Sequence, residues 1–579
     1  MKFLKKYKSK VVAVFYSLLT YFSVIKYISA DFFNVIVFLL YFPILGFYLK
    51  FENVNDKKVL KYSTVLALLF SLCMSVGKIV SVNISIKDIG YLNLINFCKI
   101  LFYFVGLYPL FKRLFIKMFI NSERINILNK NQGNMSIKVF FICFIFIFIC
   151  WLVLFLRYYP SIMTPDSYYV VHYANENILN DHHAFGHTQF FSLYYHIGKT
   201  LFSSITGSVA FYIIIQMLLA DLIFMFALKY FYSKSINKYI IYLFVVFIGV
   251  NPLFSHYSIT LWRDIPFSMC FIPIVIMLYE YVNNNFKITI RNVIVFTLFI
   301  ILMLFMRNNG IYVFIVMIPF IILIGKKNRI KKVIYCILIV SLYLVVKGPI
   351  FNQLGVTRGL ASESLSVPIQ QISRVVASNK KIDSDDYKFL SKFYDVEKAK
   401  TEYNPVLSDK MKGSIDNSVW KNNKIKFLSI WSKYLFKYPN IYFEAYFTQT
   451  LGYWYPDVEV WSTGGEGASF FEKEYHTQPI INNGTVKKII NLSKSKGIPF
   501  VEIIWSIGMN IFIAVLSLFL LTYKFGKKYI LPYTPLIGLW MTMMIASPVY
   551  AEVRYVYAFF VLMPFMLLFP FVNKKDSVA

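Results

Sequence analysis

A series of long apolar runs constrains this chain more than any other feature, and residues 139–156, VFFICFIFIFICWLVLFL, are the most extreme of them. An apolar helix of about 20 residues crosses the hydrocarbon core of a bilayer. Hydrophobic residues make up 58% of the chain and charged residues only 15%, which is more apolar surface than a soluble protein needs. The sequence therefore predicts an all-α polytopic membrane protein.

Apolar segments between charged loops indicate where the chain crosses the membrane. The first follows MKFLKKYKSK and resembles a signal peptide, but no convincing small-residue cleavage site follows it, so we expect a retained helix. We predict about fourteen spans, at residues 11–30, 33–50, 62–81, 93–111, 138–156, 207–230, 239–253, 265–283, 291–306, 310–325, 333–347, 503–523, 529–548 and 555–572.

Basic residues divide the loops into two sets. Loops on the N-terminal side carry clusters such as KKYKSK, KRLFIK, GKKNRIKK and KFGKK, whereas the short loops on the other side carry few Lys or Arg. Because cytoplasmic loops are enriched in these residues, we predict that both termini are cytoplasmic. The loop 157–206 and the segment 348–500 then lie outside. The Lys-, Asn- and Ile-rich composition is typical of a low-GC genome, so the membrane we expect is a bacterial cytoplasmic membrane.

These loops divide the chain into four predicted parts. Residues 1–137 hold the first four spans, residues 138–347 form a transmembrane core with the outer loop 157–206, and residues 501–579 hold the last three spans. The segment 348–500 is too long and too polar for a loop, and DSDDYKFLSKFYDVEKAK within it is typical of an exposed helix. We therefore expect an α-rich external domain there.

Two classes of function are disfavoured by composition. The formal charge of +31 would indicate a nucleic-acid partner in a soluble chain, but in a membrane protein the position of the charges matters more than their sum. No nucleic-acid partner is predicted. All six cysteines lie in apolar runs without a CxxC pair, so they predict neither external disulfides nor a zinc or redox site.

Asp166 is the first candidate catalytic residue. It lies in TPDSYY, just after the fifth predicted span, where Pro165 disfavours helix for Thr164. In a partly desolvated cleft its carboxyl would have a raised pKa and could accept a proton from an attacking hydroxyl. The structural alternative, which the sequence supports equally, is that Asp166 caps the next helix.

The motif DHHAFGHT, residues 181–188, permits two interpretations. Asp181, His183 and His187 offer oxygen and nitrogen ligands for a divalent metal, and His183 and His187 are one helical turn apart. Gly186 weakens the helix that this spacing requires, and no HExxH motif is present. We favour the second interpretation, in which His182, His183 and His187 line a sugar or acceptor pocket as hydrogen-bonding groups.

Three arginines stand at the predicted outer ends of spans: Arg263 in TLWRDIPF, Arg307 in FMRNNGIY and Arg554 in AEVRYVY. Cations at membrane depth are costly and usually functional or paired. Guanidinium binds phosphate bidentately, so we predict that these three form a lipid-phosphate site. Asp264 would be a second catalytic carboxylate and Glu552 a sugar or acceptor ligand. The alternative for Arg263 and Asp264 is an adjacent pair that anchors a helix at the interface.

Aromatic residues in the predicted external domain suit carbohydrate. Tyr453, Trp454 and Asp457 lie together in GYWYPD, where rings can stack on sugar C–H faces and the acid can accept hydroxyl protons. The alternative is an aromatic belt at the lipid headgroups. Asp221, a lone acid in the sixth predicted span, is expected to pair with a neighbouring helix.

These motifs together resemble the GT-C superfamily of polytopic glycosyltransferases, and more closely an uncharacterised bacterial group within it. The resemblance covers about residues 138–572. It is carried by seven short patterns in order, at Thr164–Ser167, Asp181–Thr188, Trp262–Asp264, Arg307–Gly310, Val367–Val376, Gly452–Asp457 and Arg554–Tyr555. The first four predicted spans match no family pattern.

The resemblance implies an inverting transfer of a sugar from a polyprenyl-phosphate donor to an envelope glycan, lipid or protein on the outer face. Asp166 would orient or deprotonate the acceptor hydroxyl while the arginines hold the phosphate. A polysaccharide polymerase or ligase would use similar groups and remains an alternative. A transporter of lipid-linked saccharides would instead favour broken helices at mid-membrane, and only Asp221 points that way.

Overall fold

The computed structural model describes residues 2–29, 39–50, 54–85, 89–129, 133–325, 328–461, 480, 484, 488 and 505–572. Over these residues the chain is helical, with isolated β-bridges and no strand. It separates into two compact units. Unit 1 comprises Met1–Asn126, Ser364–Val458 and Ala546–Tyr550, and unit 2 comprises Ile127–Glu363, Glu459–Ile545 and Ala551–Ala579.

Ten helices in the described residues are long and apolar enough to cross a membrane. A bent pair, Lys238–Val250 and Pro252–Ser258, turns by 57° and raises the number to eleven if the pair is counted as one span. These helices confirm the all-α, multi-pass membrane protein. The expected fourteen spans are not confirmed, because the helices at Ile290–Met306 and Gly310–Leu323 are shorter than a full crossing. Part of the predicted span 33–50 lies outside the described residues.

Unit 1 begins with four helices. Asp56 and Asn93 cap the third and fourth, since their side chains accept hydrogen bonds from the first free backbone N–H groups. The four are α1 Lys2–Tyr27, α2 Tyr41–Leu49, α3 Lys57–Val82 and α4 Leu94–Arg124.

Unit 2 continues the chain with a bundle of long and short helices. Its helix α15, Arg329–Val345, is extended by a π-helical turn, Val346–Ile350, and by the short helix α16, Phe351–Gln353. The others are α5 Ile137–Arg157, α6 Pro165–Asn175, α7 Phe185–Phe202, α8 Ile205–Ser233, α9 Lys238–Val250, α10 Pro252–Ser258, α11 Asp264–Met269, α12 Phe271–Asn283, α13 Ile290–Met306 and α14 Gly310–Leu323.

Six polar or amphipathic helices then return the chain to unit 1 and share a buried hydrophobic core that includes Ile369, Leu390, Phe393 and Phe427. They are α17 Ser366–Ala377, α18 Ser384–Phe393, α19 Val396–Glu402, α20 Asp409–Gly413, α21 Asn417–Lys437 and α22 Pro439–Thr450. Three helices complete unit 2: α23 Ile507–Phe525, α24 Thr534–Ala546 and α25 Tyr557–Leu568.

A buried ion pair joins α17 to α22 inside unit 1. Nη2 of Arg374 lies 3.1 Å from Oε2 of Glu444, and both side chains are at most 1% exposed. The same carboxylate accepts hydrogen bonds from the backbone N–H groups of Gly90, at 2.9 Å, and Leu92, at 2.8 Å. Gly90 and Leu92 lie in the loop between the spans α3 and α4. This loop and the segment 364–458 therefore lie on the same side of the membrane that α3 and α4 cross.

Candidate functional site

Unit 2 gathers six predicted site residues from four stretches of sequence. They come from the start of α6, from the turn before α11 and its first residue, from the α13–α14 junction, and from the segment before α25. Each of these stretches lies where an apolar helix begins or ends, so charged side chains meet at one end of the helices. The six are Asp166, Arg263, Asp264, Arg307, Glu552 and Arg554.

Asp166 lies in the first turn of α6 but does not cap it. The cap is Thr164, whose hydroxyl accepts from the N–H of Ser167 while the Ser167 hydroxyl accepts from the N–H of Thr164. The structural alternative raised for Asp166 is therefore wrong. Its side chain is 37% exposed, and among the described residues only Arg554 donates a hydrogen bond to it.

Arg554 is the centre of the cluster. Its Nη1 donates to Oδ2 of Asp166 at 2.6 Å, and its Nε lies 3.7 Å from Oε1 of Glu552. The guanidinium also lies over the Trp262 ring, 4.7 Å from the ring centre, and donates to the Tyr555 hydroxyl. Two carboxylates and two aromatic rings thus fix its orientation.

The pKa of the Asp166 carboxyl is shifted in the direction opposite to our prediction. Burial raises this pKa, but the positive charges of Arg554 and Arg263 outweigh burial and lower it to about 2. Asp166 is therefore a stable anion at neutral pH. The prediction of a raised pKa was wrong because sequence could not show that two cations would face this carboxyl.

Arg307 and Asp264 form a second, buried pair. Nη1 of Arg307 lies 3.0 Å from Oδ1 of Asp264, with the side chains 6% and 2% exposed. The same nitrogen donates to the backbone carbonyl of Tyr555 at 3.0 Å. These contacts engage the guanidinium of Arg307 inside the protein, and its role as a phosphate ligand stays a prediction.

Arg263 differs from the other two arginines. Its Nη1 donates to the backbone carbonyl of His182 at 2.7 Å, and it forms no ion pair with a carboxylate in the part of the chain that the structure describes. The side chain is half-buried. No carboxylate neutralises the charge of Arg263 directly, in contrast to the charges of Arg307 and Arg554 in the part of the chain described. Arg263 is therefore better able to bind an incoming anion.

A narrow cleft lies between Arg263 and Asp166, and its free volume of about 10 Å³ is the space of about one water molecule. His187 is fully buried against it, and its Nδ1 has no hydrogen-bond partner among the described residues, whereas its Nε2 lies 3.4 Å from the Tyr212 hydroxyl. The cleft is lined by Asp166, Val170, His183, His187, Leu261, Trp262, Arg263 and Asp264. A buried orphan nitrogen beside a cation and a carboxylate offers a polar ligand both donors and acceptors.

The proposed metal ligands do not come together. Nζ of Lys347 lies 2.6 Å from each oxygen of Asp181, and the ring of His183 stacks on Tyr169. Among the described residues no group of three His, Cys, Asp or Glu side chains has the arrangement of a metal site. His183 lines the cleft instead, and burial together with the charge of Arg263 lowers its pKa to about 3, so it is neutral at physiological pH.

Glu552 contrasts with Asp166. Its side chain is buried, and burial raises its pKa to about 7, because the neighbouring acids Asp264 and Asp166 offset part of the attraction of Arg554. Of the two carboxyls that face Arg554, one is therefore ionised throughout the physiological range and the other titrates within it. Such separation of pKa values is typical of functional sites.

The remaining predicted sugar ligands belong to unit 1. Tyr453 is fully buried, and its hydroxyl donates to the backbone carbonyl of Val549 at 2.9 Å, so its ring packs in the core. Nε1 of Trp454 donates to Thr450, and Asp457 is exposed. These three residues lie in unit 1, whereas the residues that line the cleft all belong to unit 2.

Sequence reasoning missed two residues that hold the site in place. Lys347 Nζ bonds both Asp181 and the side chain of Asn308, whose amide donates to the Asp181 carbonyl at 2.8 Å. This links the α6–α7 loop to the residue after Arg307. A single lysine ending the apolar run before the Gly348–Pro349 break was the signal that could have identified Lys347.

The fold and the site define a multi-pass membrane protein with a charged cleft at one end of its helices. The model of a family of unknown function, DUF6020, matches residues 155–579, and the chain belongs to that family. The matched segment contains all six clustered residues but not α1 to α4. Comparison with curated proteins and with solved structures found no match.

Proposed function

We propose that this chain is a membrane glycosyltransferase that moves a sugar from a polyprenyl-phosphate donor to a cell-envelope acceptor on the outer face. The observation that carries the proposal is the cleft in which Arg263, a cation without a carboxylate partner in the described part of the chain, faces the anion Asp166. A phosphate and a hydroxyl are the two groups that such a pair recognises.

The donor phosphate is assigned to Arg263. The cleft lies where apolar helices end, so a lipid tail can remain in the bilayer while its phosphate reaches the guanidinium. A cleft of about 10 Å³ holds about one water molecule, so Arg263 would bind the phosphate at the mouth of the cleft and the sugar would lie outside it. The buried Nδ1 of His187 would bond a water molecule or a hydroxyl that enters the cleft.

The acceptor hydroxyl is assigned to Asp166, whose second oxygen accepts no hydrogen bond from the residues described. A carboxyl with a pKa of about 2 is a weak base. Phosphate bound to Arg263 would neutralise one of the two cations that depress this pKa, so the carboxyl becomes more basic when donor is present. Donor binding and base strength are then coupled.

The reaction is a single displacement. The acceptor oxygen attacks the anomeric carbon, the bond from that carbon to the phosphate oxygen breaks, and the polyprenyl phosphate leaves with the bonding electrons. The proton of the acceptor passes to Asp166. One displacement inverts the anomeric centre, and a phosphate leaving group needs little acid assistance, so positioning and charge neutralisation supply most of the catalysis.

A polysaccharide polymerase or ligase would use the same phosphate and hydroxyl contacts. It differs from a glycosyltransferase that moves one sugar in the size of the unit that it transfers.

The transporter hypothesis rested on Asp221, which is fully buried in α8. The expected pairing is not found, since neither carboxylate oxygen has a hydrogen-bond partner among the described residues. One acid within one span does not form a path for a saccharide. A glycosyltransferase therefore explains the charged cleft better than a transporter does.

Donor binding tests the proposal. In nanodiscs, Arg263→Gln should weaken the affinity for a panel of polyprenyl-phosphate sugars by about tenfold or more, because a charged hydrogen bond to phosphate is lost. Arg358→Gln is the matched control, since Arg358 is an exposed arginine of the same unit, and should bind as wild type does. Equal donor affinity in wild type and Arg263→Gln would contradict the proposal.

A further inference from the structure

A large open groove lies between α1 and α4 of unit 1, outside the segment that the family model matches. Its volume is about 740 Å³, within the range of ligand pockets. One wall carries Leu19, Phe22 and Lys26 of α1, and the other carries Cys98, Lys99 and Phe102 of α4. The groove is therefore apolar along its length, with two cations among its lining residues.

The two helices run antiparallel where they meet. The Thr20 hydroxyl donates to the carbonyl of Gly106 at 2.9 Å, and the Ser23 hydroxyl donates to the carbonyl of Tyr103 at 3.2 Å. Continuing this register by one turn brings Lys26 level with Lys99. The two helices approach closely at Gly106, where an added Cβ would lie 2.2 Å from the Cβ of Ser23. This close contact fixes the position of α1 against α4 beside the groove.

Both lysines lie at the end of the helices that holds the α3–α4 loop. Lys26 is in the last turn of α1, Lys99 is in the second turn of α4, and both are exposed. Neither forms an ion pair with a carboxylate in the described ranges, and Lys99 Nζ donates only to the side chain of Asn96. Two ammonium groups near one headgroup level match a doubly charged anion.

We propose that this groove binds a single-chain lipid monophosphate, with its chain between α1 and α4 and its phosphate on Lys26 and Lys99. From Leu19 to Lys26 the groove extends about 10 Å at 1.5 Å per residue, which suits one hydrocarbon chain. A phosphate monoester carries up to two negative charges, one for each lysine. The carrier released by the proposed transfer belongs to this class, but the inference stands on the groove alone.

Photolabelling of the full-length protein in nanodiscs tests the inference. A diazirine-bearing prenyl monophosphate should label the start of α4, and Lys26→Gln/Lys99→Gln should reduce labelling about tenfold or more, because both charged contacts to the phosphate are lost. The control Lys10→Gln/Lys117→Gln removes two exposed lysines from the opposite ends of the same two helices and should label as wild type does. Equal labelling in the Lys26/Lys99 variant would overturn the inference.

Two further probes separate the chain from the phosphate. The corresponding prenyl alcohol should label weakly, and a diazirine phosphatidylglycerol, which has two chains and one charge, should not compete with the monophosphate. Competition by phosphatidylglycerol would overturn the assignment to a single-chain monophosphate.

Cys98 lines the groove and is a free thiol, so bound monophosphate should also slow its alkylation in a variant without the other five cysteines. These readouts need no glycosyl transfer, so their failure is distinguishable from failure of the proposed function.

Discussion

Arg554 donates a 2.6 Å hydrogen bond from Nη1 to Oδ2 of Asp166, and 388 residues of sequence separate the two side chains. This pair fixes one oxygen of the carboxylate and leaves the other toward a cleft that also contains Arg263. The pair also sets the protonation state of Asp166. Burial alone would raise the pKa of this carboxyl, but the charges of Arg554 and Arg263 lower it to about 2. The carboxylate is thus held as an oriented anion, and under the proposed function a phosphate bound to Arg263 would weaken the field that lowers its pKa.

The buried pair of Arg307 and Asp264 should be essential to stability. Arg307→Gln leaves the Asp264 carboxylate buried and unpaired, which typically costs about 3–5 kcal/mol, and Asp264→Asn should cost a similar amount. In the double variant both charges are gone, so its thermal unfolding midpoint in detergent should lie well above the value expected from adding the single losses. Strictly additive losses would show that the two side chains are not coupled.

Glu552 should make stability depend on pH. Its pKa in the folded protein is about 7, above the ordinary 4.5, so the folded state holds this proton more tightly than the unfolded chain. The free energy of unfolding should therefore fall as pH rises from about 4.5 to about 7, by about 3 kcal/mol in total. Glu552→Gln cannot ionise and should not show this decline.

Unfolding midpoints measured at pH 5 and pH 8 check the Glu552 prediction. The difference between the two midpoints should shrink in Glu552→Gln and should stay unchanged in the control Glu176→Gln, whose side chain is exposed. Parallel pH profiles for wild type and Glu552→Gln would rule out a titration of Glu552 near neutrality.

Cysteine labelling of intact cells checks the predicted sidedness. In a variant without the native cysteines, single cysteines replacing Asn180 and Ile425 should react with a membrane-impermeant maleimide, because both positions are predicted outside. A cysteine replacing Lys117, near the opposite end of α4, should react only after the cells are broken. The hydrogen bonds of Glu444 to Gly90 and Leu92 require the α3–α4 loop to share the side of residue 425. Labelling of position 180 only in broken cells would reverse the assigned face.

Much of the architecture could be predicted because apolar runs, Pro residues and basic clusters are local signals. Asp166, Arg263, Arg307 and Arg554 were all predicted at helix ends of one face, and the structure does bring them together. Helix bounds were less accurate. Helix α4 was expected to end near residue 111 but extends to Arg124, since no Gly or Pro interrupts the amphipathic sequence that follows.

The partners of these residues could not be predicted, because pairing depends on contacts that are remote in sequence. Nothing local indicates that Arg307 pairs with Asp264 while Arg554 pairs with Asp166, and the sign of the Asp166 pKa shift follows from that choice. The same limit applies to unit 1. Glu444 and Gly90 are 354 residues apart, so the association of the first helices with the segment 364–458 has no local signal.

Sugar transfer by Asp166→Asn tests the central claim most directly. The purified protein is incubated in vesicles with polyprenyl-phosphate donors that carry a labelled sugar and with an envelope extract as acceptor. Asparagine keeps the size of the side chain but cannot accept the proton, so turnover should fall about a hundredfold or more while donor binding persists. The control Glu176→Gln should transfer as wild type does. Near-normal turnover in Asp166→Asn, or no release of polyprenyl phosphate from any donor by the wild-type protein, would contradict the account.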